Sequence, residues 1–254
     1  MNVPVYILSK IIILLLGFGV LSMLHFGLRY ALIQMNWPQA QRQRFLQTVL
    51  LSVVSWLLVL AIFALSGYSF NLDQAPPLIF WTLIPPILIF WILLFLPTFR
   101  RILIEIPKTW LFYAQSFRLV LDLIFWLGFL GAFVPRQMTF LWLNFDYTVG
   151  ATALFAGYTF FGQRRQRKLE GVLWNVFGLF LLFNQVFLGY ISLPFPKQVI
   201  DSGLSSIFLS DFPFVWIWGL FIPFGFALHT SSLFQIFYAP QKKAPRKFSL
   251  KKKP

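Results

Sequence analysis

A few side chains capable of chemistry stand inside the long apolar runs of this chain: His25, Gln115, Arg118, Asp122, Asn175 and His229, with Asn144 and Asp146 as a second group. An ionisable residue in an apolar span costs ~2.5–3.5 kcal/mol to insert at the centre and is retained for a functional or structural reason. Gln115, Arg118 and Asp122 are spaced three and four apart, so they share one helix face. The guanidinium of Arg118 is a rigid fork suited to a carboxylate or phosphate. On this reading Arg118 clamps an anionic small molecule or lipid headgroup in a cavity open to the cytoplasm. Gln115 and Asn175 orient it, Asp122 is the counter-charge, and His229, with His25, adds a group whose charge depends on pH. The alternative is structural: an Arg118–Asp122 ion pair within one helix, with amides and hydroxyls tying helices together.

The two histidines allow one other chemistry. His25 and His229 fall at matching depth on the first and last spans, which adjoin if the bundle closes, and paired axial histidines are what a b-type haem needs. Other classes are excluded. Cysteine is absent, so disulfides, thiolate catalysis and Cys-ligated metals are out. Retinal is out because the last apolar run, 212–238, has no Lys for a Schiff base. No Ser/His/Asp set or carboxylate pair stands at a catalytic spacing, so no catalytic residue or metal site is assigned and an enzyme is the least favoured class.

The elements that must carry these residues follow from composition. The chain is 59% hydrophobic and 11% charged, with a mean hydropathy of +0.76. Soluble domains carry about a quarter charged residues. Too little polar surface is encoded to cover a soluble protein of this size, so the expected class is an all-α polytopic membrane bundle. Seven apolar segments are long enough to be spans: 11–35, 46–68, 76–97, 108–134, 139–162, 171–192 and 212–238.

Basic residues alternate between the connections. The first, third and fifth connections and the tail, with Arg29 and Lys108 at the adjoining helix ends, hold 17 of the 21 Lys and Arg. The other side has Lys10, Arg136 and Lys197 beside Asp73, Asp201 and Asp211. The positive-inside rule therefore predicts seven spans with the N-terminus out and the C-terminus in the cytoplasm. The same rule assigns the net charge of +14 to topology, which argues against nucleic acid as a partner.

Used as a depth ruler at ~1.5 Å per residue, this topology puts His25, Gln115, Arg118, Asn175 and His229 in the cytoplasmic half of the bilayer. Asn144 and Asp146 fall in the other half. The spacing predicts that they lie in the outer interface, with Asp146 capping the fifth helix. The alternative is that the segment from Thr139 re-enters the membrane and Asp146 caps a half-helix within it, a pattern found at transporter binding sites. Gly150, Ala153 and Gly157 predict a close-packed face on that helix.

Prolines mark boundaries: Pro76, Pro77 and Pro97 bound the third span, while Pro107 and Pro135 bound the fourth. Pro85, Pro86 and Pro223 predict kinks. Ser210 or Asp211 is the expected cap of the last span. The connection 193–211 is expected as a surface segment or cap, and the basic tail 239–254 as a disordered strip that holds to anionic lipids.

Finally, Ile106-Pro107 with Leu111, Gln115 and Arg118 reads I-P-x(3)-L-x(3)-Q-x(2)-R. Met138-Thr139-Phe140 leads into Asn144-Phe145-Asp146 and Gly150. Further along come Trp174-Asn175 with Gly178-Leu179, and Pro223 with His229. Over roughly residues 100–238 these blocks resemble those of a family of uncharacterised bacterial seven-span integral membrane proteins. The Gly-Arg usual in that family before the Asn-Phe-Asp block is Trp142-Leu143 here. The resemblance implies a seven-span fold in the bacterial cytoplasmic membrane and singles out Gln115, Arg118, Asn144, Asp146, Asn175 and His229, but implies no activity. A second class of function is therefore also open: an accessory subunit whose Phe- and Trp-rich faces pack on other membrane proteins.

Overall fold

Ten α-helices, joined by short 3-10 and π turns, account for every regular element among the described residues. The computed structural model describes residues 1–67, 78–163, 165–194 and 203–238. Asp73, Pro76, Pro77, Arg164, Pro196, Lys197, Asp201 and the basic tail lie outside these. In chain order the helices are α1 (Val3–Gln34), α2 (Gln39–Leu65), α3 (Leu78–Trp81), α4 (Ile84–Phe95) and α5 (Pro97–Glu105). They continue as α6 (Lys108–Tyr113), α7 (Phe117–Leu130), α8 (Tyr147–Phe161), α9 (Lys168–Ile191) and α10 (Ile222–Tyr238). Among the described residues, five stretches are long and apolar enough to cross a membrane: α1, α2, Lys108–Leu130, α9 and Ile217–Tyr238.

The third predicted span is not one straight helix. Pro85 and Pro86 stand in the first turn of α4, where a missing N–H costs nothing, rather than in mid-helix. At Pro97 the chain bends by 96° into α5, so α4 and α5 count as one further candidate span at most. Ile102 and Leu103 bury one side of α5 while Arg100, Arg101 and Glu105 stay on the other, the pattern of a helix lying at an interface. The third connection is thus a helix in its own right. Gln235 of α10 secures its end, its amide donating to the carbonyls of Leu103 and Ile106 at the helix C-terminus.

The last span also departs from a simple kinked helix. A π turn, Ile217–Phe221, precedes α10. Pro223 has no N–H for the carbonyl four residues back, that of Gly219. Trp56 of α2 supplies the donor instead, its indole Nε1 2.9 Å from that oxygen. Asp211 is not the cap expected. Its carboxylate accepts from the Tyr6 hydroxyl and pairs with Lys10 Nζ at 2.7 Å, fastening α1 to the segment ahead of the last helix.

The largest apolar core joins α1, α2, α7, α9 and the 208–228 segment around Phe125, Phe208, Phe214, Trp218 and Phe221. Phe208 belongs to a 3-10 turn, Ser206–Ser210, that tucks into the bundle instead of lying on its surface.

Candidate functional site

The site rests on two antiparallel helix pairs. α8 lies along α6–α7 in a fixed register: a Cβ on Gly150 would strike the Leu119 backbone, and one on Gly157 would strike Phe112 and Tyr113. At the far end Lys108 Nζ sits 5.4 Å from the Phe161 ring centroid. Carried back along the helix, this register sets Asp146 level with Leu123, about 10 Å short of the end of α7 at Leu130. α8 is therefore a short helix of 15 residues that starts inside the bundle. α9 and α10 pair likewise, Gly171 meeting Ile236, Asn175 meeting Ser232, Gly178 meeting His229 and Gly225 meeting Leu182.

Arg118 stands near the start of α7, just after a 3-10 turn, Ala114–Ser116, that interrupts the fourth span. Its side chain is fully buried and joins three helices. Nε and Nη2 grip the two carboxylate oxygens of Asp146 at the head of α8, the Nε bond measuring 2.8 Å. Nη1 lies 2.7 Å from His229 Nε2 on α10, and Nη2 also reaches the Gly178 carbonyl of α9 at 3.2 Å. Bidentate arginine–carboxylate contacts are among the strongest hydrogen bonds and are geometrically selective.

The network extends on both sides. Asn175 Oδ1 is 2.9 Å from His229 Nδ1, and its Nδ2 donates to Ser232 Oγ and to the Gly171 carbonyl. The Trp174 ring flanks the imidazole, with centroids 5.3 Å apart. On the other side Asn144 Nδ2 donates to Asp122 Oδ1 at 2.7 Å and to the Met138 carbonyl at 3.0 Å, while its Oδ1 accepts from the Asp146 amide. That backbone donor fixes which way the Asn144 amide points.

Arginine has no acceptor, so His229 Nε2 must hold a lone pair toward Arg118. The imidazole is then neutral, with its hydrogen on Nδ1 and donated to Asn175. Both ring nitrogens are engaged. A haem iron would need one of them, and His25 lies elsewhere, in a shallow apolar groove between α1 and α2 lined by Leu21, Leu28, Leu46 and Val53. The paired histidines therefore do not fit a bis-His haem.

The two polar groups separated by the depth ruler meet here. Asn144 and Asp146 are fully buried in the bundle. Asp146 occupies the N-cap position of α8 but its carboxylate makes no capping bond, because Arg118 holds it. The expected Arg118–Asp122 pair is replaced by Arg118–Asp146, since a side chain as long as arginine spans the gap between the halves. The predicted cavity is closed: Arg118, Asp122, Asn144, Asp146, Asn175 and His229 are each no more than 1% exposed and pair with one another, all but the Asp122 Oδ2. Gln115 stands apart, donating to the Gly225 carbonyl at 3.1 Å and so pinning α10 to the 3-10 turn. Sequence reasoning missed the structural part played by Gly178, which supplies an acceptor and, lacking a Cβ, the room for the His229 ring.

Known proteins offer no guide to this arrangement. Comparison with protein-family models, with curated proteins and with solved structures gives no match. The site must be interpreted from its own geometry.

Proposed function

We propose that this protein is a seven-span member of a bacterial cytoplasmic membrane that binds a small carboxylate- or phosphate-bearing anion at Arg118, to transport or to sense it. The observation that carries this reading is the two-pronged grip of Arg118 on Asp146 at the head of α8, inside the bundle. A carboxylate already occupies a carboxylate-shaped site. Asp146 is then an internal stand-in for the ligand, and binding exchanges one carboxylate for another without leaving the guanidinium unpaired. Interrupted helices whose ends meet at a buried polar centre are a recurring plan for solute sites in transporters. The polar line Arg118–His229–Asn175–Ser232 leads from the centre toward the end of the bundle where Lys168 and Tyr238 lie, which is the cytoplasmic end on the charge rule.

The span count takes α3–α4 as one crossing and the segment from Thr139 through α8 as another, with the N-terminus outside. This topology, and membership of the seven-span family whose sequence blocks it resembles, rest on the alternating charge and on those blocks. The basic tail holds anionic lipids at the cytoplasmic face.

Purified protein titrated with phosphate and with small dicarboxylates tests the anion reading by thermal stabilisation, which grows with ligand over Kd. Arg118→Lys is expected to abolish anion binding by removing the bidentate geometry. If no anion stabilises the wild type, the reading fails.

A second reading, the accessory subunit, is favoured by one observation. The apolar windows of α1 and α2 are only 22% and 17% buried, against 56% and 61% for Lys108–Leu130 and Ile217–Tyr238. Two peripheral helices with bare faces suit a partner membrane protein as well as lipid. Recovery of one stoichiometric partner in mild detergent, lost on bulky substitutions along the bare face of α2, would favour it.

A further inference from the structure

The centre holds three charged side chains, and they do not balance. Arg118 contributes one positive charge, and Asp146 cancels it through both oxygens. Asp122, one turn beyond Arg118 on α7, is a surplus carboxyl group that is 1% exposed. Its Oδ1 accepts one hydrogen bond, from Asn144, and its Oδ2 is buried with no partner. An ionised carboxylate so placed would keep a full charge away from water with a single neutral donor, at a cost of several kcal/mol. Nothing around it supplies a second cation. On its own helix the facing charge is Arg118, already matched. The segment 131–146 and α8 bring Asn144, the negative Asp146 and Arg136, which is exposed and lies over the Trp142 ring, 5.9 Å from its centroid. α10 brings His229, which is neutral in the tautomer that Arg118 enforces, and α9 brings the Gly178 carbonyl. The ammonium group of α1, Lys10, is committed to Asp211.

We propose that Asp122 is a proton-binding site: it carries a proton on Oδ2 in this state and exchanges it when the Arg118–Asp146 pair opens. The chemistry balances simply. When Asp146 leaves the guanidinium, the Oδ2–H bond of Asp122 breaks, its carboxylate takes over Arg118 from one turn away, and Asp146 receives the proton. One proton moves between two carboxyl groups and the centre keeps its net charge. The neighbouring turn of α9 has room in its polar inventory to take part. Gln185 is 2% exposed with both amide atoms unpartnered, and Asn184 beside it donates to the Leu143 carbonyl, so this turn lies against the segment that carries Asn144. The assignment rests on the charge count at Arg118 and not on anion binding, so either can fail without the other.

Infrared difference spectroscopy on the purified full-length protein reads it directly, through the carbonyl stretch of a protonated carboxylic acid. The wild type is expected to show this band and to lose it in Asp122→Asn. Asp146→Asn is expected to lose it too, because Asp122 must then ionise to balance Arg118. A band that survives in Asp122→Asn, or that persists in Asp146→Asn, overturns the proposal. Loss of the wild-type band on adding sodium chloride at fixed pH, but not choline chloride, would make the bound cation sodium and also overturn it. A second measurement needs no variant. A hydrophobic carbodiimide, which reacts with protonated carboxyl groups in apolar surroundings, is expected to label Asp122 in peptide mapping. Labelling of Asp146 instead, or of neither, counts against the assignment.

Discussion

His229 Nε2 lies 2.7 Å from Arg118 Nη1, and only one state of the imidazole permits that contact. A guanidinium can only donate, so the facing nitrogen is bare and the hydrogen sits on Nδ1, aimed at Asn175 Oδ1. The arrangement makes the histidine an acceptor wedged between two helices, and it fixes Asn175 in turn with its Nδ2 toward Ser232. Nitrogen NMR on labelled protein at neutral pH is expected to show Nδ1 protonated and Nε2 free. The opposite tautomer would mean that Arg118 does not point where the structure puts it.

Removing Arg118 alone should be severe. Arg118→Met leaves Asp146 as an uncompensated buried charge, a loss of about 3–5 kcal/mol for pairs of this kind. Adding Asp146→Leu should recover most of it, because replacing a whole buried pair by apolar groups is often neutral. A thermal melt in which the double variant is no better than the single would show that the two residues are not a coupled pair.

Gly178 is where α9 admits the histidine. A methyl group there would strike His229 Cε1 and Nε2, which are ring atoms held on both sides and unable to swing away. Gly178→Ala is expected to destabilise by about 1–3 kcal/mol, the usual range for overpacking, and to disrupt the Nδ1–Asn175 bond. Gly19→Ala is the control: nothing lies within 4 Å of its added Cβ and alanine favours a helix, so its melting temperature should be no lower than the wild type's.

Gly150 tests the register of α8. Its added Cβ would meet the Leu119 amide nitrogen and Cα, which are backbone atoms that cannot yield without moving α8. Gly150→Leu should separate α8 from α7, draw Asp146 away from Arg118 and expose the centre. Accessibility of a cysteine introduced at position 153, buried on α8 and outside the polar network, to a membrane-impermeant reagent would then rise. No change in either melting or accessibility would refute the packing.

Trp56 offers a test remote from the charges. Its indole N–H completes the Gly219 carbonyl that Pro223 leaves open. Trp56→Phe keeps the ring but strands that oxygen, for an expected loss of about 1–3 kcal/mol. Equal melting of Trp56→Phe and wild type would mean another donor takes its place.

How much of this was legible in advance differs from residue to residue. Arg118, Asp122, Asn144, Asp146, Asn175 and His229 announce themselves, because a polar side chain in an apolar run is costly wherever the helix turns. Pairings are another matter. Spacing made Asp122 the natural partner of Arg118, since it lies one turn away on the same face. Distance along the chain concealed Asp146, 28 residues on, whose approach depends on the segment 131–146 folding back into the bundle. The depth ruler set Asn144 and Asp146 apart from Arg118 because it measures where each residue stands along its helix and not how far a long side chain reaches.

The sequence by itself determined that this chain is helical and apolar enough for membrane spans, and where its isolated polar groups stand. These follow from composition and from a rise per residue that is the same in every helix. Only the tertiary structure decided that α8 starts inside the bundle, that the chain bends by 96° at Pro97 into α5 and that Arg118 closes on Asp146 and His229. Those outcomes depend on how helices rotate and slide against one another. Gly150, Gly157, Gly171 and Gly178 set that registry through what they lack, and an absent side chain leaves no chemical mark in a sequence until its neighbour across the interface is known.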